Sequence, residues 1–357
     1  MALNINDSAA HALEGLTLKD TWKVVKRLDP KPGATGGFFS VCYIVTNGHS
    51  EAFLKAINFK AFFQMFKDKP VMDILSEQTN AFKFERDLLV RCKEKKLSKV
   101  STILDEGEAI LEDFTIPNVP FLVFEMADGD MRSRINFNNK IELAWKLRSL
   151  HNISVGLKQL HSVEIGHQDL KPSNVLLYQE ASISKIGDLG RSLCADIEAP
   201  HEGDGGFTGD FTYAPPEFLY RYIQPNWNQR IRATDLYLFG SLITFYFTGT
   251  NMTALIGKNM DQQFRWDRWG GAFDDVKDYL VDAFSKSVNE FKASIPHEKI
   301  AEELGMLLEM CCFPYPEKRG HPKTLKQSGN QYDFERITSK LDVLATKAEY
   351  LNYGIDF

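Results

Sequence analysis

The chain has 357 residues, 43% hydrophobic and 25% charged, which suits a water-soluble globular protein of one large two-lobed domain or two smaller ones. Lys and Arg total 42 against 48 Asp and Glu, for a net charge of −6. That balance excludes the basic surplus expected of a general nucleic-acid binder.

Residues 1–20 read as a polar extension, and the first twelve lack the basic start and apolar core of a signal peptide. From Trp22 the pattern turns to strands over residues 22–28, 38–46 and, after a turn at Asn47-Gly48, 51–57, which predicts an antiparallel meander. Asp29-Pro30-Lys31-Pro32-Gly33-Ala34-Thr35-Gly36-Gly37 joins the first two. Glycines there either let backbone N–H groups approach a phosphate or simply make a hairpin turn. Lys55 lies on the third strand between apolar neighbours, where it either snorkels or serves chemistry. An insertion, residues 58–79 with the aromatic-rich stretch 59–66, precedes a helix over residues 80–95. That helix carries Phe82, Leu88 and Leu89 on one face and Glu85 near its start; its basic end, with Arg91, Lys93, Lys95, Lys96 and Lys99, reads as a solvated surface. Residues 103–108 form the next strand and turn, and 120–125 a buried strand running into a connector that ends at Gly129.

The run 139–162 has helical periodicity through Ile141, Ala144, Leu147, Leu150, Ile153, Leu157 and Leu160. It delivers the chain to His167-Gln168-Asp169-Leu170-Lys171-Pro172-Ser173-Asn174, followed by Val175-Leu176-Leu177. A carboxylate, an amine and a carboxamide fall within six residues there, on a segment that Pro172 keeps from plain helix. A second carboxylate follows the β-type run 182–186, in Ile186-Gly187-Asp188-Leu189-Gly190, 14 residues further on (174 to 188). Phosphoryl transfer from a metal-bound nucleotide needs this set: a carboxylate to orient a hydroxyl, a cation for the moving phosphate, and oxygen ligands for Mg²⁺. Either piece alone is as well read as a polar surface loop. Their order and spacing together favour the chemistry.

Residues 191–211 show little periodicity and contain Gly203, Gly205, Gly206 and Gly209, ending at Thr212-Tyr213-Ala214-Pro215-Pro216-Glu217. Asp235 is expected to open a buried helix whose apolar run, 236–247, is too short to span a bilayer. Read singly, Asp235 is a charge at a helix N-terminus and Arg319 a surface charge. The five cysteines, at 42, 92, 194, 311 and 312, have no metal-type spacing and read as thiols in a reducing, cytoplasmic setting. An amphipathic helix is predicted around residues 334–351.

The motifs at 167–174 and 186–190 resemble those of the eukaryotic-like protein kinases, whose catalytic loop reads H-R-D-L-K-x-x-N and whose metal motif reads D-F-G. The resemblance runs from about Trp22 to about Pro322, and departs at Gln168, where the family usually has Arg (a non-RD type), and at Leu189, where it usually has Phe. It implies an α+β, two-lobed protein kinase fold with a small antiparallel β-sheet lobe carrying a regulatory helix, and a larger, mainly helical lobe. The expected division is an extension at 1–20, the small lobe at 21–125, the large lobe at 126–330 and a helical tail at 331–357 packing on the large lobe.

The resemblance also implies roles. Asp169 would orient the substrate hydroxyl, Lys171 would contact the γ-phosphate of ATP, and Asn174 and Asp188 would hold Mg²⁺. Lys55 would pair with the α/β-phosphates and with Glu85, Glu77 being the second choice. Gly36, Gly37 and Phe38 would belong to the phosphate-covering loop. Two registers against G-x-G-x-x-G-x-V stay open there: Gly36, Phe38 and Val41 with Phe39 in place of the last Gly, or Gly37 and Ser40. Glu125 and Ala127 would bond adenine through the backbone, and Leu176 would also contact the nucleotide. Phe124 would stand as gatekeeper, and Phe53 where the family usually has a small Ala. Asp235 would brace the catalytic loop, and Arg319 would pair with Glu217 of a Y-x-A-P-E-like motif.

Lys171, two residues after Asp169, is the Ser/Thr-type pattern, so the implied activity is phosphorylation of a protein hydroxyl, with no nucleic-acid or membrane partner. Gln168 is neutral, so activity without activation-segment phosphorylation is expected. Two other functions stand beside this one. A small-molecule phosphotransferase of aminoglycoside- or choline-kinase type would generally lack Lys171 and the Glu217/Arg319 arrangement. A pseudokinase, or nucleotide-binding interaction module, is kept open by the loose glycine loop and by Phe53.

Overall fold

A computed structural model describes residues 8–29, 39–135, 142–203, 206–321, 323–324, 326 and 329–352 of the chain. Two units are distinguished: residues up to 96 together with 101–127, and residues 97–100 together with 128 onwards.

In the first unit, β1 (Thr17–Leu18), β2 (Trp22–Leu28), β3 (Ser40–Thr46) and β4 (Glu51–Ile57) follow one another antiparallel, and β5 (Ile103–Ile110) and β6 (Asn118–Glu125) complete a sheet in the order β1-β2-β3-β4-β6-β5. Alternate residues Val24, Tyr43, Val45, Leu54, Phe121 and Val123 face a common core, as period-two patterning requires. The segment before Trp22, expected as a polar extension, also buries Ala9, Ala10 and Leu13 in that core. Tyr43 Oη donates to the Ala10 carbonyl at 2.6 Å. Three short apolar side chains on one tight turn carry no periodicity, and so gave no signal of burial.

Two helices, α1 (Phe59–Met65) and α2 (Val71–Glu94), occupy the stretch read as an insertion followed by a helix from residue 80. α2 starts earlier than its composition suggests because Pro70, in extended conformation, sets its beginning. Ser76, Thr79 and Asn80 are weak helix formers that the continuing helix carries through. Its buried positions include Ile74, Phe84, Glu85, Leu88 and Leu89.

The second unit is mainly helical. β7 (Gly129–Asp130), α3 (Met131–Arg134) and α4 (Leu143–Ser162) lead to β8 (Ile165–Gly166), β9 (Val175–Tyr178), β10 (Ile183–Ile186) and β11 (Leu193–Cys194). These strands pair in two small sheets, β10-β9-β7 and β11-β8. Helices α5 (Pro216–Leu219), α6 (Trp227–Thr248), α7 (Met252–Asn259), α8 (Lys277–Ala293), α9 (Glu298–Cys312) and α10 (Glu335–Asn352) follow. α6 is buried on all sides over most of its length, which a helix apolar all round must be. It begins at Trp227, where the Asn226 side chain accepts from Gln229 N, so Asp235 lies in its interior and not at its opening. α10 packs along α4, with Arg148 donating to Asp342 and Glu349. Phe334, just before α10, meets the rings of His161 and Phe239 edge-on. Among the described residues no helix is long and apolar enough to cross a membrane.

One ion pair closes this unit. Arg319 is fully buried and donates to both Glu217 carboxylate oxygens, at 2.7 and 2.6 Å, while its other N–H groups reach the carbonyls of Phe313, Ala233 and Pro314. The guanidinium also lies over the Tyr237 ring, 4.9 Å from its centre. Such a bidentate pair is dear to break from one side, because the partner is left charged and dry. Glu217→Ala and Arg319→Ala should each cost about 3–5 kcal/mol in denaturant unfolding, and the double variant clearly less than the sum. Strict additivity of the two would contradict the coupling.

Candidate active site

Between β8 and β9 the loop 167–174 is held from beneath by one carboxylate. Asp235, wholly buried in α6, accepts from His167 N at 2.9 Å and from Gln168 N at 2.8 Å. His161 Nε2 bonds the same carboxylate at 2.7 Å. Burial alone would raise the Asp235 pKa, but the His161 contact and the loop amides outweigh it and hold the carboxyl below its usual range. Gln168 adopts a left-handed backbone, φ 62°, which costs a non-glycine residue and persists where surroundings enforce it. Its side-chain Nε2 donates to Asp235 at 2.9 Å and to the Ile231 carbonyl at 3.0 Å, so the amide nitrogen is spent on α6.

His167 ties the two sequence motifs together. Its Nε2 faces the Gly187 carbonyl at 3.0 Å, an acceptor only, so that nitrogen carries the proton and Nδ1 accepts from Asp169 N at 3.2 Å. Gly187 N in turn donates to the Asn174 carbonyl at 2.9 Å. Asp188 follows with φ 59° and an exposed side chain, while its neighbour Leu189 is fully buried. A leucine therefore anchors this turn in place of the expected Phe, and the carboxylate stays outward.

The chemistry-bearing side chains gather around Asp169, which is 7% exposed. Lys171 Nζ lies 3.3 and 3.1 Å from its two oxygens, and Asn174 Nδ2 donates to its carbonyl at 2.8 Å and its carboxylate at 3.1 Å. Asp210 N donates to Asp169 Oδ1 at 2.8 Å, and the Asp210 carboxylate stands 3.4 Å from Lys171 Nζ. The preceding residue must be glycine: a Cβ on Gly209 would sit 2.2 Å from the Gln168 carbonyl oxygen. Burial would lower the Lys171 pKa, but Asp169 first, then Asp210 and Asp188, hold it above the usual lysine range.

The first unit holds the other named residues. Lys55 on β4 donates to both oxygens of Glu85 on α2, at 2.9 and 3.1 Å, whereas Glu77 pairs with Lys69 at the surface. Phe53 stands opposite Phe124 in the β4–β6 register, with ring centres 6.4 Å apart. At the end of β6, the Glu125 carboxylate accepts from Thr102 N at 2.8 Å, and Ala127 is the last residue of the unit. In the second unit Leu176 is half-buried on β9, against Gly187. Gly36, Gly37 and Phe38 lie outside the described residues.

His161 and Asp210 were not anticipated as site residues. The first hides in a helical periodicity that reads as core, and the second among several acidic residues of an aperiodic segment. Asp235→Asn should place an N–H₂ donor against loop N–H donors, costing about 1–3 kcal/mol. The expected sign is roughly tenfold to hundredfold faster hydrogen exchange at the His167 and Gln168 amides. Unchanged protection there would separate Asp235 from the loop.

Comparison with known proteins agrees with this geometry. The family model described as "protein kinase domain" matches residues 58–329. The chain is 25% identical over 248 residues to the G-type lectin S-receptor-like serine/threonine-protein kinase SRK of Arabidopsis thaliana, covering 67% of this chain and 27% of that protein. It is 26% identical to an Aurora kinase of Dictyostelium discoideum, covering 58% and 49% of the two chains. To mitogen-activated protein kinase 4 of Rattus norvegicus it is 29% identical, covering 38% and 48%. The chain thus spans less than half the length of each of these relatives. With the family model covering most of its length, the chain belongs to the eukaryotic-like protein kinase family and has the two-lobed kinase fold.

Proposed function

We propose that this chain is an ATP- and Mg²⁺-dependent serine/threonine protein kinase, moving the γ-phosphate to a hydroxyl of a protein substrate. The observation that carries the reading is the contact set of Asp169, whose carboxylate shares Lys171 and Asn174 at 3.1 Å each. Those contacts support a reading in which Asp169 is the proton acceptor, Lys171 the phosphate-binding cation and Asn174 the metal-side carboxamide of one loop. In the reaction a bond forms between the substrate oxygen and the γ-phosphorus, the bond from that phosphorus to the β–γ bridging oxygen breaks, and ADP leaves. Asp169 orients the hydroxyl and takes its proton. Lys171 meets the charge on the transferring group. Lys55, held by Glu85, would pair with the α/β-phosphates.

Asn174 and Asp188 fit a hard cation. Asn174 turns its nitrogen toward Asp169, its oxygen, which accepts a long bond from Ser173 Oγ at 3.4 Å, is the atom that would face a cation, and the Asp188 carboxylate is exposed. Bound Mg²⁺ would supply charge neutralisation at the phosphates. The serine/threonine class follows from Lys171. The buried Glu217–Arg319 pair speaks against a small-molecule phosphotransferase. A non-catalytic nucleotide-binding module draws support from Phe53, which puts a second aromatic ring beside Phe124. The transfer assay separates it from an enzyme.

The test is phosphate transfer to a generic protein, read by mass spectrometry with Mg-ATP. Asp169→Asn should cut the rate by about 10²–10⁴-fold while nucleotide affinity stays near wild type. Near-wild-type transfer in that variant would remove Asp169 from the chemistry, and nucleotide binding without transfer in the wild type would favour the non-catalytic module.

Activity independent of activation-segment phosphorylation belongs to the same proposal. Gln168 offers no charge and is engaged by α6. Ser192 is fully buried, and Thr208 donates to the Arg191 carbonyl at 2.6 Å. Thr208→Ala, and phosphatase treatment of the wild type, should each leave the rate within about tenfold, or roughly 1.4 kcal/mol of barrier. A larger fall at unchanged stability would show that a phosphate switches the enzyme.

A further inference from the structure

Asp210, in the segment 191–211, meets the loop 167–174 twice. Its N–H donates to Asp169 Oδ1 at 2.8 Å, and its Oδ2 lies 3.4 Å from Lys171 Nζ. The direction of that carboxylate is set locally. Oδ1 accepts from Thr212 N at 3.0 Å and from Thr212 Oγ1 at 2.7 Å, so Oδ2 is the oxygen left to face Lys171. Gly209 brings the backbone close enough for both contacts, since any side chain there would strike the Gln168 carbonyl.

The single Lys171 ammonium serves two carboxylates, those of Asp169 and Asp210. A γ-phosphate arriving at Lys171 therefore has to share its cation. Asp169 holds Lys171 at 3.1 Å with a side chain 8% exposed, whereas Asp210 holds it at 3.4 Å with one 27% exposed. The longer and wetter contact is the cheaper to give up.

We infer that Asp210 is a positioning residue that gates Lys171, holding the amine while no γ-phosphate is present and competing with that phosphate when ATP binds. This rests on the reading of Lys171 as the γ-phosphate contact. Its consequence is selective. The competition weakens binding of a nucleoside triphosphate and leaves a diphosphate untouched, because ADP brings no group to Lys171. Asp210 thereby narrows the preference of the site for ATP over ADP.

The experiment is calorimetric titration of the full chain with Mg²⁺ and either the non-hydrolysable β,γ-imido analogue of ATP or ADP. Asp210→Asn keeps the oxygen that accepts from Thr212 and removes the charge. It should tighten the analogue about two- to fivefold, the range of a part-exposed ion pair, with ADP unchanged. Asp210→Thr, which can cap through its hydroxyl, should do the same and guards against an effect peculiar to Asn. The gain should shrink as salt is raised, and should vanish in a Lys171→Met background. No change in the analogue, an equal change in both nucleotides, or survival of the gain in Lys171→Met would each overturn the gate. If Lys171→Met alone leaves analogue binding unaltered, the reading of Lys171 fails instead. If it weakens the analogue while Asp210→Asn does nothing, only the gate fails.

Discussion

A single buried carboxylate, that of Asp235, sets the geometry of the loop 167–174. Its two oxygens accept from two successive loop amides, and His161 and the Gln168 carboxamide complete its shell. Burying a carboxylate costs several kcal/mol unless donors replace water, and here four do. The return is positional. Gln168 is held in a left-handed backbone that it would not adopt alone, and the chain reverses so that Asp169 points away from α6 toward Lys171 and Asn174. Pro172 opens only a single turn of 3-10 helix, Pro172–Asn174, and keeps a longer helix from forming, so this anchor and the His167 and Gly187 contacts hold Asp169 and Asn174 in place.

The same stretch of α6 serves the other buried charge of the unit. The Ile231 carbonyl takes Gln168, the Ala233 carbonyl takes Arg319, and Asp235 takes the loop amides. The loop 167–174 and the Glu217 motif are thus referenced to one helix that is buried over most of its length and unable to shift without opening the core. Positions on such an element hold tolerances that a surface loop cannot. The closeness of Gly209 to Gln168 then carries the same reference to the segment that bears Asp210.

Much of this was legible in the residues. The strands at 22–28 and 51–57 match their alternation, since one face is buried and register is fixed by that face. The Lys55–Glu85 pair was implied by the kinase resemblance of the strand around Lys55 and of the helix that carries Glu85, and Lys55 donates to both Glu85 oxygens. The misses have physical causes. Ala9, Ala10 and Leu13 are buried by docking on a sheet, which leaves no periodic trace in so short a stretch. α2 runs through poor helix formers because tertiary packing of Ile74 and Phe84 overrides propensity. Asp235 was expected to open its helix but lies inside it, because Asn226 caps the helix at Trp227; the loop amides it accepts from are those the resemblance implied. Asp210 had no signal at all, since its role depends on a backbone approach that only the fold creates.

Gln168 gives the last step. An arginine at this position would be a cation with an outward use, able to receive a phosphate from the neighbouring segment. Glutamine instead satisfies two acceptors on α6 and leaves its backbone N–H to Asp235, so its functional groups point inward. A neutral residue also spares the buried region a charge that would need its own partner. The segment 191–211 is then free to carry negative charge of its own, and Asp210 places one such charge beside Lys171 permanently. Here a carboxylate of the chain itself, Asp210, stands beside Lys171, and the Asp210 N–H on Asp169 joins the loop to the neighbouring segment.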